Sequence, residues 1–456
     1  MGEGGWTWRS AGSPLPQRGR GVRGEGRIGP YMRLKVQTTP KLQGFIEVPA
    51  SKSHTIRALV IATLAGGKSE ILNPLTSADA VACRKACQAL GANIEMQEEK
   101  WMVEGTGGHL QTPDDVINVE NSGTTLCLVM GMACHGLQYT VFTGDSQTRR
   151  RSVGPLLTAL KNLGAEAFST RGNGLAPVIV RGPLKGGWTQ VEGITSQYLS
   201  SLLLSTPLAE KNSEIQPLHL QEKPYVEMTL WWLNKQGIRY EREGWEYFKI
   251  KGGQAYQPFR QRIPGDFSSA TFPLCAAAIT ESDVILKGLD MEDSQGDKKV
   301  ISYLKEMGAR IQVVEDGIRI QGGELQGVEL DLNDTPDALP AMAVVGCFAR
   351  GVTKLRNVAH ARIKETDRIA TMREVLTQLG AQVEELPDGL VLKESSLQGR
   401  LVHGHGDHRV VMALAIAGLK AKGTTEITTA EAIQVTYPGF VDSMRALGAH
   451  MQLESP

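Results

Sequence analysis

The segment Ala89-Leu90-Gly91-Ala92-Asn93-Ile94 recurs in similar form at five other places in the chain. In each copy a helix-like pattern runs up to the glycine and an alternating, strand-like pattern follows it. Glycine adopts the left-handed backbone conformation without steric cost, so each copy predicts the end of a helix and a reversal into a strand. The equivalent glycines are Gly91, Gly164, Gly237, Gly308, Gly380 and Gly448.

The spacing of these glycines, 68 to 73 residues, predicts an internal structural repeat. A second landmark keeps the same period: a polar turn with a helix-capping residue, followed by an apolar helix of small residues. We therefore predict six units with the order strand, helix, strand, helix, strand, strand. The polar turns are Ser51-Lys52-Ser53, Asn121-Ser122-Gly123-Thr124, Thr195-Ser196-Gln197, Asp266-Phe267-Ser268-Ser269, Thr335-Pro336-Asp337 and Asp407-His408-Arg409.

Six units are too many for one hydrophobic core, since long chains divide into domains. The pattern predicts a mixed α/β (α+β) fold of two globes with three units each. One globe comprises residues 50–264, and the other comprises 32–49 together with 265–456. Residues 1–31, rich in glycine and arginine, are predicted to form a disordered N-terminal extension.

The composition excludes several classes of protein. Lys and Arg together number 49, as do Asp and Glu, so no overall charge favours nucleic acid or an anionic membrane. No apolar run has the length of a membrane-spanning helix. The six cysteines lack the spacing of a metal site, and we expect free thiols in a reducing cytoplasm.

The segment from Pro49 to Leu64 combines helix-capping residues with a long apolar run. Lys52 and Arg57 lie near the start of this predicted helix, where positive charge opposes the helix dipole. An anion bound between them would account for both cations. A solvent-exposed first turn with two extended cations explains the segment in isolation equally well.

A second charged segment runs from Arg356 to Arg368 and precedes an apolar helical pattern. Taken alone, this pattern is typical of a solvated helix start with local ion pairs, such as Lys364 with Asp367.

Together, these motifs and their order resemble the enolpyruvyl transferase family, and within it the members that act on shikimate 3-phosphate. The resemblance extends from Met32 to the C-terminus and implies an inside-out α/β barrel of two globes with the active site in the cleft. It implies transfer of the enolpyruvyl group of phosphoenolpyruvate to the 5-hydroxyl of shikimate 3-phosphate, with release of phosphate, in aromatic amino acid biosynthesis. The motifs are Pro49 to Arg57, Asn121 to Thr124, Arg151, Thr195 to Gln197, Asp337, Lys364 to Arg368, and Asp407 to Arg409.

The resemblance also implies a role for individual residues, without metal or cofactor, in a protein that we expect to be a monomer. Asp337 would accept the proton of the attacking hydroxyl, Glu365 would protonate the methylene carbon of phosphoenolpyruvate, and Lys52 would lie between both substrates. Shikimate 3-phosphate would contact Lys52, Ser53, Arg57, Thr195, Ser196, Gln197, Asp337, His360 and Lys364. Phosphoenolpyruvate would contact Lys52, Asn121, Gly123, Arg151, Gln197, Arg368 and Arg409.

Three positions depart from the better-known family pattern. Glu222 stands where many members have a phosphate-binding serine, so its carboxylate must either turn away or be compensated by a neighbour such as Lys223. His360 stands where asparagine is common, and Val435 replaces a lysine that touches phosphoenolpyruvate in some members. From the change at Val435 we expect altered affinity and retained activity.

Other interpretations follow from single motifs. His403, His405 and His408 with Asp407 have the composition of a metal site, but no second carboxylate or histidine cluster accompanies them, so we do not expect a bound metal. The glycine-rich segments 105–108 and 172–174 resemble phosphate-binding loops. We interpret them as turns between strands, because they lack the lysine and the following helix that such loops need. The related transferase that acts on UDP-N-acetylglucosamine uses an acidic cysteine on a mobile loop. The comparable segment here, residues 144–152, contains no cysteine, which argues against that activity. A non-catalytic anion-binding protein is the alternative from another functional class. It would keep the cations but would need neither Asp337 nor Glu365.

Overall fold

The computed structural model of the chain describes residues 31–455, so the predicted extension at 1–31 lies almost entirely outside the described residues. The helices are α1 (Lys52–Leu64), α2 (Ala78–Ala89), α3 (Gly123–Ala133), α4 (Gly154–Asn162), α5 (Ser196–Ser205), α6 (Lys223–Lys235), α7 (Phe267–Ile279), α8 (Lys299–Glu306), α9 (Leu339–Phe348), α10 (Arg368–Gln378), α11 (His408–Lys420) and α12 (Phe440–Ala446). None of these helices has the length and apolar character needed to cross a membrane.

Short strands alternate with the helices along the same range. The strands are β1 (Arg33–Gln37), β2 (Gln43–Glu47), β3 (Lys68–Leu72), β4 (Asn93–Gln97), β5 (Lys100–Glu104), β6 (Ile117–Asn118), β7 (Thr140–Thr143), β8 (Glu166–Ser169), β9 (Val178–Arg181), β10 (Gly187–Glu192), β11 (Ser213–Leu218), β12 (Tyr240–Glu243), β13 (Tyr247–Ile250), β14 (Arg260–Arg262), β15 (Asp283–Lys287), β16 (Arg310–Val314), β17 (Gly317–Gln321), β18 (Glu329–Asp331), β19 (Val352–Arg356), β20 (Gln382–Leu386), β21 (Gly389–Lys393), β22 (Leu401–His403), β23 (Thr424–Thr428) and β24 (Met451–Glu454).

The repeat glycines end helices as predicted. Each lies two residues beyond the last residue of α2, α4, α6, α8, α10 or α12. Their φ angles fall between 65° at Gly237 and 107° at Gly308, in the left-handed region that side chains rarely adopt. The prediction of six glycine-terminated helices is therefore confirmed.

Six four-stranded sheets are found among the described residues. Three of them, β6-β7-β9-β8, β10-β11-β13-β12 and β18-β19-β21-β20, are built from consecutive strands in the predicted order. The other three each take one strand from a distant part of the chain. Strand β14 pairs with β3, β2 pairs with β15, and β1 lies between β23 and β24.

The buried apolar residues form two separate clusters. One runs from Ala50 to Ile263, and the other combines Leu34 to Val48 with Phe267 to Met451. The first cluster contains the apolar helices α1, α3 and α5, and the second contains α7, α9 and α11. These six inner helices are buried on all sides. Helices that are apolar all round require such a setting, because a solvated face would expose hydrophobic surface.

The packing of α3 against α5 depends on Gly131. A Cβ atom at this position would lie 2.3 Å from Ser201 Oγ and 2.6 Å from Ser205 Oγ. Ser201 Oγ already donates a hydrogen bond to the Cys127 carbonyl at 2.6 Å. The two helices therefore approach as closely as they do because residue 131 has no side chain.

We predict that Gly131→Val destabilises the protein by roughly 1–3 kcal/mol, because the added atoms overpack a rigid helix contact. Urea unfolding followed by circular dichroism measures the change. Gly323→Ala is the control, since a Cβ there meets nothing within 4 Å. Equal unfolding midpoints for the two variants would contradict this account of the helix contact.

Candidate active site

The starts of the six inner helices meet at one small cavity of about 50 Å³. Helix N-termini carry unpaired N–H groups and partial positive charge, so their convergence favours anions. The cavity is lined from these starts by Lys52 and Ser53 of α1, Gly123 and Thr124 of α3, Ser196 and Gln197 of α5, Ser268 of α7, Asp337 before α9, and Arg409 of α11.

A larger cavity of about 410 Å³ adjoins the small one and shares part of its lining. Gly123, Arg151, Gln197, Lys364 and Glu365 border both cavities. The larger volume is in the range of small-molecule sites, whereas the smaller has room for only one or two water molecules.

Local capping explains why the helices begin at these points. Ser51, Ser122, Thr195, Asp266 and Asp407 each accept a hydrogen bond from a backbone N–H of the first turn through their side chains. Such caps fix a helix start within a residue or two. Sequence-encoded caps therefore set the position of the functional side chains that follow them.

The cations of the small cavity have internal partners. Lys52 Nζ lies 3.1 Å from Asp79 Oδ2, Arg151 Nη2 lies 3.1 Å from Glu365 Oε1, Arg409 Nη2 lies 2.9 Å from Asp337 Oδ2, and Lys364 forms an ion pair with Glu222. The guanidinium of Arg57 donates instead to the hydroxyls of Thr229 and Ser200 and to the carbonyls of Ser53 and Tyr225.

Arg368 lies outside the lining of both cavities, and its buried guanidinium contacts three carboxylates. Its Nε donates to Asp407 Oδ2 at 2.9 Å, its Nη1 to Asp337 Oδ1 at 2.6 Å, and its Nη2 to Glu365 Oε2 at 2.5 Å. Burial alone would lower the pKa of Arg368, but the three carboxylates outweigh burial and raise this pKa well above its ordinary value. Arg368 therefore stays charged.

The two predicted catalytic carboxyls are ionised in this arrangement. Burial acts to raise the pKa of Asp337, but Arg409 and Arg368 lower it below its ordinary value. Burial also acts to raise the pKa of Glu365, but Arg151 and Arg368 lower this pKa well below its usual range. Neighbouring cations thus decide the charge state of both groups.

Glu222 neither turns away from the cavity nor pairs with Lys223, as the sequence had suggested. Its buried carboxylate accepts hydrogen bonds from the Ser196 backbone N–H and hydroxyl and from the Thr195 hydroxyl, and it pairs with Lys364. The alternative pairing of Lys364 with Asp367 is wrong, since Asp367 caps α10 and pairs with Arg362.

Gly123 and Asn121, both predicted to contact phosphoenolpyruvate, have different surroundings. A Cβ at Gly123 would lie 2.6 Å from Arg151 Nη1, so glycine allows Arg151 to reach the cavity. The Asn121 side chain donates to Asp145 at 2.7 Å and to Gln147 at 2.8 Å, outside the lining of both cavities. Asn121 therefore supports the loop before Arg151 in this structure.

The remaining sequence predictions fall at the edge of the site or beyond it. His360 lines the larger cavity, and its Nε2 lies 3.1 Å from the Asn333 carbonyl. Val435 lies outside the lining of both cavities. The rings of His403 and His405 pack edge to face at the surface, whereas His408 is buried at the start of α11.

Sequence reasoning assigned no role in the site to Asp79, Tyr225 and Asp266, which line the small cavity, or to Asp297, which accepts a hydrogen bond from Tyr225. Asp79 lies in the first turn of α2, where an acid is common and gives no sign of a function. Tyr225 donates to Asp297 Oδ2 at 2.6 Å and so joins α6 to the second half of the chain. The Pro224 that precedes Tyr225 signals a helix start, but this contact has no local sequence signal.

A second contact between the two clusters is made by His54. Trp232 Nε1 donates to His54 Nδ1 at 3.0 Å, and His54 Nε2 lies 3.2 Å from Asp293 Oδ1. Because indole can only donate, Nδ1 accepts and Nε2 carries the proton that is donated to Asp293. The neutral imidazole is sufficient for both bonds.

Comparison with known proteins gives consistent results. Residues 36–444 match the model of the family described as EPSP synthase (3-phosphoshikimate 1-carboxyvinyltransferase). The chain is 56% identical over 418 residues to the 3-phosphoshikimate 1-carboxyvinyltransferase of Acetivibrio thermocellus, covering 92% of this chain and 99% of the relative. It is 53% identical over 422 residues to that of Ruminiclostridium cellulolyticum, covering 92% and 100%.

The fold also matches a solved structure. The EPSP synthase of Acinetobacter baumannii, solved at 2.37 Å, superposes with a TM-score of 0.79 at 27% identity, covering 93% of this chain and 100% of that one. The prediction of an α/β fold of this class is therefore confirmed.

The site carries a testable dependence on pH through Asp297. Burial, together with the nearby charge of Asp337, raises the pKa of Asp297 from 3.8 to about 7. The folded protein thus holds a proton that the unfolded chain releases between about pH 4 and pH 7, so stability falls as pH rises through this window and is constant above it. Asp297→Asn removes the effect, so its unfolding temperature should exceed that of the wild type at pH 8 and match it near pH 4.

Thermal unfolding at several pH values measures this difference. Asp316→Asn, which changes an exposed carboxylate outside the cavities, is the control. A constant difference between Asp297→Asn and the wild type from pH 4 to pH 8 would show that Asp297 does not hold the proton.

Proposed function

Because the chain belongs to the EPSP synthase family, we propose that Asp337 and Glu365 are the base and the acid of that family's reaction. The chain transfers the enolpyruvyl group of phosphoenolpyruvate to shikimate 3-phosphate, a step of the shikimate pathway of aromatic amino acid biosynthesis. What remains to be assigned is how its own residues hold the substrates and move the protons.

Both substrates are multiply anionic, and the charged cavity suits them. Shikimate 3-phosphate is held by Lys52, Ser53, Arg57, Thr195, Ser196, Gln197, Asp337, His360 and Lys364 in this proposal. Phosphoenolpyruvate is held by Lys52, Gly123, Gln197, Arg151, Arg368 and Arg409, with Asn121 positioned behind Arg151. Arginine suits the planar carboxylate through its two-pronged geometry, and lysine suits phosphate as a compact charge.

Asp337 is suited to the role of base because it is ionised and borders the cavity. It takes the proton of the 5-hydroxyl as the hydroxyl oxygen bonds to C2 of phosphoenolpyruvate. A carboxylate held between Arg368 and Arg409 is a weak base. The carboxylate of phosphoenolpyruvate, by binding these arginines, would draw their charge away from Asp337 and raise its pKa.

Glu365 has to gain a proton before it can act as the acid. In this structure Arg151 and Arg368 keep it ionised. The phosphate of phosphoenolpyruvate placed beside Arg151 would neutralise that cation and raise the pKa of Glu365. Glu365 then protonates the methylene carbon C3, and C2 acquires oxocarbenium character.

The reaction is completed by elimination. Attack of the 5-hydroxyl on C2 gives a tetrahedral adduct that carries a methyl group and the phosphate. Loss of phosphate and of one methyl proton, returned to Glu365, restores the carbon-carbon double bond. Water must be kept from the oxocarbenium-like centre, which burial between the two sides of the cleft achieves.

The meeting of six helix starts and five cations, Lys52, Arg57, Arg151, Lys364 and Arg409, at one cavity is the observation that carries this assignment. The direct test is release of inorganic phosphate from purified protein supplied with both substrates. We expect release that requires both together. Phosphate release from phosphoenolpyruvate alone would contradict the proposal. A lack of release with both substrates present would also contradict it.

Three broader features belong to the same proposal. The globes are residues 32–49 with 265–456 and residues 50–264, supported by the two separate clusters of buried apolar side chains. The protein acts as a monomer, since both sides of the cleft come from one chain. The cytoplasm is its compartment, in keeping with six buried cysteines that are free thiols.

The carboxyl assignments predict a specific kinetic defect. Asp337→Asn and Glu365→Gln should each lower kcat by about 10²–10⁴-fold, because an amide cannot transfer the proton. Binding of shikimate 3-phosphate to either variant, measured by calorimetry, should stay within about tenfold of the wild type.

Glu384→Gln, an exposed substitution on β20, is the matched control and should keep full activity. An anion-binding protein without catalysis would show no turnover to lose. Retention of more than about a tenth of the wild-type kcat by Asp337→Asn or Glu365→Gln would remove that residue from the mechanism.

A further inference from the structure

The carboxylate of Glu222 lies at the start of α5 and is surrounded by donors. One of its oxygens, Oε2, accepts from the Ser196 N–H at 2.9 Å, the Ser196 hydroxyl at 2.8 Å and the Thr195 hydroxyl at 3.2 Å. The other oxygen pairs with Lys364. The side chain is only 2% exposed, so it is a fixed part of the cavity wall.

These donors form a complete anion site. They combine a helix N-terminus, two hydroxyls and an ammonium group, which is the arrangement that binds phosphate in many proteins. In this structure Glu222 fills that site. The donors are also the groups that the proposed function assigns to the phosphate of shikimate 3-phosphate.

Glu222 and a substrate phosphate cannot share the donors. Glu222 Oε2 already accepts from the Ser196 N–H, the Ser196 hydroxyl and the Thr195 hydroxyl, and Oε1 pairs with Lys364, so a phosphate at this point would compete for the same donors. Two anions within hydrogen-bond distance of each other would also repel strongly in a buried setting. Binding of the phosphate at this point therefore requires Glu222 to leave.

The backbone of Glu222 is consistent with a side chain held by these contacts. Its φ of 54° is in the left-handed region, which is uncommon for a residue with a side chain. It immediately precedes α6, yet its carboxylate makes no capping hydrogen bond to that helix. Contacts with α5 and Lys364 hold it in place, and local helix capping does not.

Lys364 adds a connection across the cleft. It lies in the part of the chain that carries the second apolar cluster, whereas Glu222, Thr195 and Ser196 lie in the part that carries the first. The Glu222–Lys364 ion pair therefore joins the two sides of the cleft.

We propose that the Glu222 carboxylate is an internal substitute for the substrate phosphate. It occupies the donors that the phosphate would use, and the phosphate displaces it on binding. This inference rests on the proposed function. It gives Glu222 two effects. The carboxylate lowers the affinity for shikimate 3-phosphate by competing for its donors, and it does not compete with a ligand that lacks phosphate.

The test compares shikimate 3-phosphate with unphosphorylated shikimate by calorimetry. Glu222→Gln removes the charge and keeps the side-chain length, so affinity for shikimate 3-phosphate should rise about tenfold or more, the size expected for charge-assisted hydrogen bonds. Affinity for shikimate should be unchanged. Glu222→Ser, which also vacates the space, should bind shikimate 3-phosphate at least as tightly as Glu222→Gln.

The control is Glu227→Gln, on the same helix α6, where the glutamate is exposed and pairs with Arg242. It should bind both ligands as the wild type does. The thermal unfolding midpoint of each variant identifies any that does not fold, and either Glu222 variant alone is sufficient for the comparison.

The outcomes separate this inference from the proposed function. Phosphate release and shikimate 3-phosphate binding by the wild type test the function itself. Suppose that the wild type releases phosphate and binds shikimate 3-phosphate. If Glu222→Gln then binds shikimate 3-phosphate with the same affinity as the wild type, or with lower affinity, the inference is overturned and the proposed function stands. Equal tightening for shikimate and shikimate 3-phosphate would also overturn it, because the effect would then not concern the phosphate.

Discussion

The structure depends on balancing the positive charge that accumulates where six helix N-termini meet. Cations placed this close together repel one another, and the helix dipoles add to the repulsion. The protein meets this constraint with its own carboxylates. The ion pairs are Lys52 with Asp79, Arg151 with Glu365, Lys364 with Glu222, Arg409 with Asp337, and Arg368 with Asp337, Glu365 and Asp407.

This balance changes how substrate binding should be understood. Apart from Arg57, whose guanidinium donates to hydroxyls and carbonyls, the cations that line the small cavity are already paired with internal carboxylates when phosphate and carboxylate groups arrive. Binding is therefore an exchange of one anion for another, and the net affinity is the difference between two large electrostatic terms. In the mechanism proposed here, the same exchange would free Asp337 and Glu365 from their arginines and raise the pKa of both toward the range in which carboxyl groups transfer protons.

The sequence predicted those features that depend on local chemistry. The end of α2 at Gly91 and the start of α1 at Ser51 follow from backbone and capping preferences that act within a few residues. The charged residues at the helix starts, such as Arg409, line the cavity because those starts converge.

Features that depend on distant pairing were not visible in the sequence. Lys364 has Asp367 three residues away, and its actual partner Glu222 is 142 residues distant. Asp79 has the appearance of an ordinary first-turn acid, and only the fold brings it to Lys52. Residues 32–49 were expected to join 265–456, but a contiguous repeat pattern does not indicate which strands β1, β2 and β14 pair with.

The most direct test of this charge exchange is a crystal structure of the protein with shikimate 3-phosphate bound. The account predicts that Lys364 and the start of α5 contact the phosphate oxygens and that the Glu222 carboxylate lies more than 4 Å from Lys364 Nζ, beyond ion-pair distance. An intact Glu222–Lys364 ion pair, with the phosphate bound to other residues, would contradict it.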